Sequence, residues 1–198
     1  MDRMSDVAYF NALYEKEDPF QYRTRWYEQR KRALTLASLP RERFGRGWEL
    51  GCSNGVLTAA LAERCDHLLA TDLSEGAVAA ARAMTRRQAH VSVEQARHPH
   101  DWPAGRFDLI VVGEMGYYLS QDDMRQLAAQ VVQSLTPQGV VIACHWRVPF
   151  EQARCSAAFV HAQFDDSLPR LFSYRDEDML LEGWSAETTS VAEREGLR

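Results

Sequence analysis

The stretch Trp48-Glu-Leu-Gly-Cys-Ser-Asn-Gly-Val-Leu-Thr-Ala-Ala-Leu-Ala62 runs from a short apolar segment through a turn with two glycines into an alanine-rich segment. This pattern predicts a buried strand, a tight turn and a helix. Because glycine has no Cβ, a turn with Gly51 and Gly55 lets the backbone come close to a bound ligand. The stretch therefore predicts a strand–turn–helix unit of an α/β fold that carries a ligand site.

Strand-like and helical segments alternate along the rest of the chain. The strand-like segments are residues 47–50, 67–71, 90–94, 107–112 and 140–144. Helical patterns lie between and around them, at residues 6–16, 23–38, 56–63, 74–85, 120–135 and 155–164. This alternation predicts a mostly parallel sheet with helices on both faces. Residues 170–174 and 179–184, with a polar turn between them, predict an antiparallel C-terminal hairpin that completes seven strands.

Composition limits the possible organisation and partners. The 198 residues are 45% hydrophobic, and we expect a single domain with N-terminal helices at 1–45, a core at 46–184 and a polar tail at 185–198 with little to bury. A net charge of -5 gives no electrostatic basis for binding nucleic acid. No apolar run reaches the roughly 20 residues of a membrane span, so we expect no membrane segment. The oligomeric state is left open.

The cysteines and the first residues predict the compartment. The four cysteines contain no Cys-x-x-Cys pair, and the opening sequence MDRMSDVAYF lacks the apolar core of a signal peptide. We therefore expect a cytoplasmic protein with reduced thiols. His98 and His100 flank Pro99 without a third ligand, so no metal site is predicted.

The glycine turn fits neither of the two common phosphate-binding patterns. A dinucleotide fingerprint that starts at Gly51 requires two further glycines where this chain has Ser53 and Val56, and a P-loop requires a lysine that the turn lacks. Instead, Glu49 precedes the turn, and Asp72 follows about twenty residues later at the end of the next strand. A carboxylate there can accept hydrogen bonds from two vicinal ribose hydroxyls. This pattern indicates a site for S-adenosylmethionine.

The chain resembles the class I S-adenosylmethionine-dependent methyltransferases from about residue 46 to 184. Glu49-Leu-Gly-Cys-Ser-Asn-Gly55 is similar to the first motif of that family, with Ser53 in place of a frequent glycine. Asp72 is similar to its ribose-binding acid, and residues 135–139 are similar to the turn before its fifth strand. The resemblance implies a Rossmann-like methyltransferase fold, with S-adenosylmethionine as cofactor and S-adenosylhomocysteine as product. The cofactor site it implies comprises Glu49, Gly51, Cys52, Ser53, Gly55, Asp72, Leu73, Gly113 and Glu114.

The adenine end departs from the family pattern. Many members have an aspartate after the third strand, whereas this chain has Gln95-Ala96-Arg97. We therefore expect adenine contacts from the backbone of these three residues or from Gln95.

A narrower resemblance concerns the acceptor. Asp18-Pro19-Phe20, Tyr27-Glu28 and the segment Gly113-Glu-Met-Gly-Tyr-Tyr-Leu119 are similar to the nodulation protein S (NodS) family, which N-methylates chitooligosaccharide signals. This resemblance implies N-methylation of an amino sugar or a deacetylated oligosaccharide.

Polar and aromatic side chains follow the fourth and fifth strands, at the edge where open sheets bind ligands. We predict Glu114 or His145 as the general base for an amine acceptor, and Tyr117 and Tyr118 as walls of the acceptor pocket. The residues expected to contact substrate are Tyr118, His145, Trp146, Arg147 and His161. The structural alternatives are core aromatics at the two tyrosines, a solvated carboxylate at Glu114 and a surface histidine at His161.

The N-terminal segment is expected to form a lid over the cofactor. Its aromatic residues Phe20, Tyr22, Trp26 and Tyr27 stand beside Arg23, Arg25 and Arg30. The alternative is a helix packed on the sheet with a solvated basic face.

Three other functions remain open from the sequence. A nucleotide-sugar or nicotinamide enzyme can use the same layered sheet, but the broken dinucleotide pattern disfavours it. A non-catalytic S-adenosylmethionine-binding protein is disfavoured because Glu49, Gly51, Gly55 and Asp72 are all present. A small-molecule O-methyltransferase is the remaining alternative. The sequence places no metal-ligand set that would activate a catechol-like hydroxyl, which favours nitrogen as the acceptor atom.

Overall fold

The computed structural model describes residues 6–198. Residues 1–5, which belong to the segment expected to lack a signal peptide, lie outside the described part. The strands are β1 (Phe44–Leu50), β2 (Cys65–Asp72), β3 (Val91–Gln95), β4 (Phe107–Val112), β5 (Leu135–Trp146), β6 (Arg170–Arg175) and β7 (Met179–Trp184). The helices are α1 (Asp6–Leu13), α2 (Trp26–Ala37), α3 (Val56–Ala62), α4 (Glu75–Thr85), α5 (Gln121–Gln133), α6 (Ala157–Asp165) and α7 (Val191–Arg194).

The seven strands form one sheet in the order β3-β2-β1-β4-β5-β7-β6. Strands β1 to β5 pair in parallel, whereas β7 lies antiparallel between β5 and β6. The expected Rossmann-like methyltransferase sheet with a C-terminal antiparallel hairpin is therefore confirmed. Among the described residues, no helix has the length and apolar character needed to cross a membrane.

Alternate residues of the central strands build two core layers. Ile110 and Val112 of β4 pack in the layer that contains α5 and α6, whereas Leu109 and Val111 pack in the layer that contains α3 and residues of α2. This alternation follows from the period of two in a strand. Helices therefore cover both faces, as predicted, and leave the carboxyl edge of the parallel strands for a site.

Helix N-caps mark where the loops of that edge end. Ser74 accepts a hydrogen bond from the backbone of Ala77, and Ser120 accepts one from Asp123, so both predicted N-caps are confirmed. Gly55 caps α3 with a left-handed φ of 78°, which ends the glycine turn directly at the helix.

Two expectations for the C-terminal half need correction. Strand β5 begins at Leu135, not at residue 140, because Leu135 already pairs with Phe107 and a register shift accommodates the next residues. The tail is not entirely without structure. Ser185 is buried and donates a hydrogen bond of 2.8 Å to the backbone oxygen of Gly139, and α7 begins with a capping box formed by Ser190 and Glu193.

Candidate active site

A cavity of about 360 Å³ opens at the carboxyl edge of the sheet. Gly51, Asp72, Glu114 and Trp146, at or just beyond the ends of four strands, form one side of it. A smaller cavity of about 70 Å³ adjoins it, and the two share Tyr22, Glu28, Gly51, Ser53 and Glu114. The site is therefore an elongated space that passes over the glycine turn.

The glycine turn brings backbone to the cavity wall. Gly51 has a φ of 73°, and a Cβ built on it would lie 3.0 Å from the Cβ of Met115. Ser53 is also left-handed, with a φ of 52°, a conformation that side-chain-bearing residues adopt rarely. Its backbone N–H donates to Asp72 at 2.9 Å and its hydroxyl is hydrogen-bonded to Tyr14. These bonds hold the strained residue in place.

Asp72 is oriented by backbone donors on both of its oxygens. Oδ2 accepts from the N–H of Ser53 at 2.9 Å, and Oδ1 accepts from the N–H of Ser74 at 3.0 Å. Burial raises the pKa of the Asp72 carboxyl, and these backbone bonds offset part of that effect. Each carboxylate oxygen has a second lone pair available. The carboxylate can therefore accept two hydroxyl groups from a ligand in the cavity.

Glu49 lies deeper, against the smaller cavity. Its side chain is 2% exposed and accepts a hydrogen bond of 2.6 Å from the Thr58 hydroxyl. Burial raises the pKa of Glu49 to about 8, although the Thr58 bond acts in the opposite direction. The carboxyl is therefore largely protonated at neutral pH and can donate as well as accept a hydrogen bond.

The residues expected at the adenine end divide into two groups. Leu73, Ala96 and Arg97 line the large cavity, and the backbone N–H of Ala96 donates to the backbone oxygen of Asp72 at 2.9 Å. Gln95 does not line it, since its exposed side chain donates to the backbone oxygen of Leu73 at 3.0 Å. Of the other expected cofactor residues, Cys52 and Gly113 line the smaller cavity, whereas Gly55 lies between the turn and α4.

The N-terminal segment forms the opposite wall. The aromatic side chains that it contributes to the large cavity are Phe10, Tyr14, Phe20, Tyr22 and Tyr27. Trp26, expected among them, is 73% exposed and does not line the cavity. The side-chain amide of Asn54 in the glycine turn donates to Asp18 at 2.9 Å, which ties this segment to the turn. The position is that of a cover; its movement as a lid stays a prediction.

Tyr117, Tyr118 and Trp146 line the large cavity at the ends of β4 and β5, where the acceptor was expected. Trp146 packs edge to face on Tyr27, with 5.1 Å between ring centroids. Glu114 also lines the cavity, but its oxygens are already used. One accepts from the backbone N–H of Trp146 at 3.1 Å, and the other is paired with Lys31. Glu114 is therefore neither a solvated carboxylate nor an unengaged base.

His145, Arg147 and His161 lie apart from the cavity. His145 is fully buried, and its Nδ1 lies 3.0 Å from His161 Nε2, whose other ring nitrogen lies 2.8 Å from Glu182. His161 is only 2% exposed, so its interpretation as a surface histidine is wrong. Arg147 bonds to the backbone oxygens of Asp176 and Asp178 in the hairpin turn. The structure thus gives these three side chains internal partners, and their predicted contacts with substrate have no geometric support.

Several cavity residues had no part in the sequence-based site. They include Asp6, Phe10, Tyr14, Glu28, Phe150 and Arg154. Glu28 is the most unusual, because it is a carboxylate only 7% exposed on a helix. The sequence offered one indication of it, because Glu28 belongs to the fragment Tyr27-Glu28 that is similar to the NodS family, but the sequence alone assigned Glu28 no role.

The residues present fit S-adenosylmethionine. The left-handed Gly51, where a Cβ would crowd Met115, leaves the backbone open to a ligand, and the oriented Asp72 carboxylate suits a ribose diol. Leu73 and Ala96 supply the wall beside it, and the smaller cavity under Gly113 extends the space in the other direction. In the part of the chain that the structure describes, no group of three or more His, Cys, Asp or Glu side chains could hold a metal ion.

Comparisons with known proteins agree with this site. A model of the methyltransferase domain matches residues 48–139. Nodulation protein S of Sinorhizobium fredii is 30% identical over 144 residues, which are 70% of this chain and 67% of that protein. Nodulation protein S of Rhizobium tropici is 29% identical over 128 residues, which are 64% of this chain and 54% of that protein. The chain thus spans between about half and two thirds of the length of these relatives.

Solved structures extend the comparison. The N-methyltransferase NodS of Bradyrhizobium japonicum, in complex with S-adenosylhomocysteine, has a TM-score of 0.81 at 25% identity and covers 90% of this chain and 96% of that one. A protein of Pseudomonas syringae described as a candidate methyltransferase is 49% identical, with a TM-score of 0.73 over 81% of this chain and 99% of that one.

The fold, the site and these similarities together define a methyltransferase domain of the S-adenosylmethionine-dependent class. The chain belongs to the class I S-adenosylmethionine-dependent methyltransferases and resembles nodulation protein S.

Proposed function

We propose that this methyltransferase methylates the amine nitrogen of an amino sugar or a deacetylated oligosaccharide. The observation that carries the proposal is the combination of aromatic walls and buried carboxylates at one end of the cavity. Tyr27, Tyr118 and Trp146 offer flat faces, and Glu28 and Glu114 lie beside them. Aromatic faces suit the apolar sides of sugar rings, and carboxylates suit an ammonium group. The similarity to NodS, an N-methyltransferase, supports the same class of acceptor.

Positioning is the main contribution expected from the protein. The bound cofactor supplies an electrophilic methyl group on a sulfonium. The backbone of the glycine turn and the side chain of Asp72 hold the donor end, while Tyr118 and Trp146 orient the acceptor ring on the other side. Holding the two reactants in line can account for a large part of the acceleration. The leaving thioether needs no proton, so proton handling is required only at the acceptor nitrogen.

A screen for methyl transfer tests the proposal, with release of S-adenosylhomocysteine as the readout. Glucosamine and deacetylated chitooligosaccharides are compared with their N-acetylated forms, small amines and phenols. We expect turnover with the free amino sugars and none with the N-acetylated forms, because an amide nitrogen is a poor nucleophile. Mass spectrometry should place the new methyl group on nitrogen. Turnover confined to phenols or carboxylates would contradict the proposal and leave the cofactor site unaffected.

A further inference from the structure

Glu28 occupies an unusual position at the junction of the two cavities. It lies in the first turn of α2, its side chain is 9% exposed, and it lines both the larger and the smaller cavity. Carboxylates are seldom this deeply buried unless a charge or several hydrogen bonds compensate them. Its partners therefore determine what it can do.

Lys31 is the cation nearest to Glu28, and it is shared. Its Nζ lies 2.7 Å from Glu28 Oε2 and is hydrogen-bonded to Glu114. Glu114 has a second bond, from the backbone N–H of Trp146. Apart from this ion pair with Lys31, Glu28 Oε2 has no hydrogen-bond partner among residues 6–198. Of the two carboxylates, Glu28 is the one with bonding capacity left.

The cluster also carries unbalanced charge. Two carboxyl groups share one ammonium group beside the aromatic wall of the cavity, so the cluster has one more acidic group than it has cations. A buried negative charge without a full counterion is unfavourable, and a cationic ligand in the cavity would offset it. Arg25 also lines the cavity, but its side chain is exposed, so solvent weakens its contribution.

The groups around Glu28 shift its pKa upward. Burial is the largest cause and Glu114 adds to it, whereas Lys31 and Arg25 act in the opposite direction. The other titratable groups that interact with Glu28 are Tyr22, Tyr27 and Cys144, while Tyr117, Tyr118 and His145 interact with Glu114 or Lys31. Burial raises the pKa of the tyrosines and the cysteine and lowers the pKa of His145, which keeps all of them neutral. A carboxylate with a raised pKa is a better proton acceptor than one in water.

We infer that Glu28 binds the ammonium form of the acceptor and takes one of its protons. This inference rests on the proposed amine acceptor. The carboxylate of Glu28 accepts a proton from R–NH₃⁺, which leaves R–NH₂ with a free lone pair and Glu28 neutral. That lone pair forms the new N–C bond while the S–C bond breaks and its electron pair stays on sulfur. The product leaves as R–NH₂⁺–CH₃, and Glu28 returns its proton to solvent. Lys31 is a positioning residue that holds Glu114 and Glu28 side by side.

The test compares Glu28→Gln with the unmodified protein, using the amine that the screen identifies. We expect kcat to fall about 100-fold or more at neutral pH, a usual effect of removing a general base. The wild-type rate should rise as pH passes the pKa of Glu28. In the variant this rise should be lost and activity should recover only at the higher pH where the free amine loses its own proton. Affinity for S-adenosylhomocysteine, measured by calorimetry, should stay unchanged.

Two further variants keep the test decisive. Glu28→Asp retains a carboxylate on a shorter side chain, and we expect reduced kcat with the acidic limb of the pH profile preserved. Glu17→Gln changes a side chain that is 84% exposed and should leave both kcat and the profile unchanged. If Glu28→Gln keeps the wild-type pH profile, or if it loses affinity for S-adenosylhomocysteine, the inference is overturned. Failure of the proposed function is a separate result, because the wild-type protein would then methylate no amine at all.

Discussion

The side-chain amide of Asn54, inside the glycine turn, donates a hydrogen bond of 2.9 Å to Asp18 in the segment that covers the cavity. The same Asp18 oxygen accepts the backbone N–H of Tyr22 at 2.9 Å. One carboxylate thus joins the glycine turn to the aromatic wall on the other side of the cavity.

This connection predicts that cofactor binding orders the cover. In hydrogen-exchange measurements, backbone amides of residues 18–27 should gain protection when S-adenosylhomocysteine binds, because opening of this segment would then require loss of the ligand. Asn54→Ala should reduce the gain and weaken binding up to about tenfold, as expected for a hydrogen bond to a charged group. Unchanged protection in the wild-type protein would show that the segment does not act as a lid.

Asp72→Asn should weaken binding of S-adenosylhomocysteine by roughly 10- to 100-fold. Asparagine has one acceptor oxygen where aspartate has two, so it cannot serve the backbone donors Ser53 and Ser74 and a ribose diol together. Calorimetry measures the change. An analogue without ribose hydroxyls is the matched ligand, and it should bind the variant and the wild type with similar affinity. Equal loss for both ligands would indicate damage to the turn, not to diol recognition.

Gly55→Ala should destabilise the fold by about 2 kcal/mol or more. Its φ of 78° costs a side-chain-bearing residue about 1 kcal/mol, and a Cβ would lie 2.7 Å from the backbone Cα of Ala81 on α4. Gly196→Ala is the control, because its φ is 68° and nothing lies within 4 Å of the added Cβ. Chemical denaturation compares the free energies of unfolding. If Gly55→Ala and Gly196→Ala lower the free energy of unfolding equally, the contact between α3 and α4 tolerates the added methyl group and the prediction is wrong.

His98 predicts a loss of stability in acid. Its Nδ1 faces the backbone oxygen of Asp101 at 3.1 Å and its Nε2 faces Thr71 at 2.9 Å, and burial lowers its pKa from 6.5 to about 4. As pH falls below 6.5, the His98 imidazole takes up a proton in the unfolded chain before it does so in the folded protein. The contribution of neutral His98 to the free energy of unfolding is therefore complete above pH 6.5 and is lost as pH falls towards 4. The expected size is roughly 3 kcal/mol.

Unfolding titrations between pH 7 and pH 4 check this, since His98→Asn should have a shallower dependence of the free energy of unfolding on pH. His100→Asn, an exposed neighbour, should leave the slope as it is in the wild type. Parallel slopes for the wild type and His98→Asn would contradict the prediction.

Trp146→Leu should raise KM for the acceptor several-fold and leave the affinity for S-adenosylhomocysteine unchanged. The indole lines the cavity and stacks edge to face on Tyr27, so its loss removes ring contact from the acceptor and not from the glycine turn. Trp26→Leu is the matched control, because that side chain is 73% exposed. A similar rise of KM in both variants would exclude a specific role for Trp146.

The sequence was sufficient for the parts of the molecule that depend on local pattern. Strand–helix alternation and the two serine caps predict the sheet and its helices. The spacing from Gly51 to Asp72 predicts that both lie at one site, and both line the large cavity, because the turn and the next strand are joined by one helix. In these cases the residues that interact are near one another in the chain.

The acceptor end depends on relations that no local pattern contains. His145 and Trp146 are neighbours, yet a strand directs them to opposite faces, so His145 meets α6 and Trp146 meets α2 and the cavity. The alternation of side chains along a strand predicts that the two residues face opposite sides of the sheet, but only the fold shows which helix packs on each side. Glu28 was missed for a related reason: its role depends on Lys31 and Glu114, and Glu114 lies far along the chain, in the turn after β4.

The cavity wall contributed by residues 6–28 has a thermodynamic consequence. If this segment opens as predicted, the binding-competent site exists only in molecules whose N-terminal segment is docked on the turn. Each ligand's measured dissociation constant then equals its intrinsic value divided by the docked fraction. A substitution at Asp18 or Asn54 that undocks the segment should therefore weaken the binding of the methyl donor and of the acceptor by the same factor. Conversely, the first ligand to bind raises the docked fraction for the second. The two substrates are therefore expected to bind with positive cooperativity even though they need not touch each other.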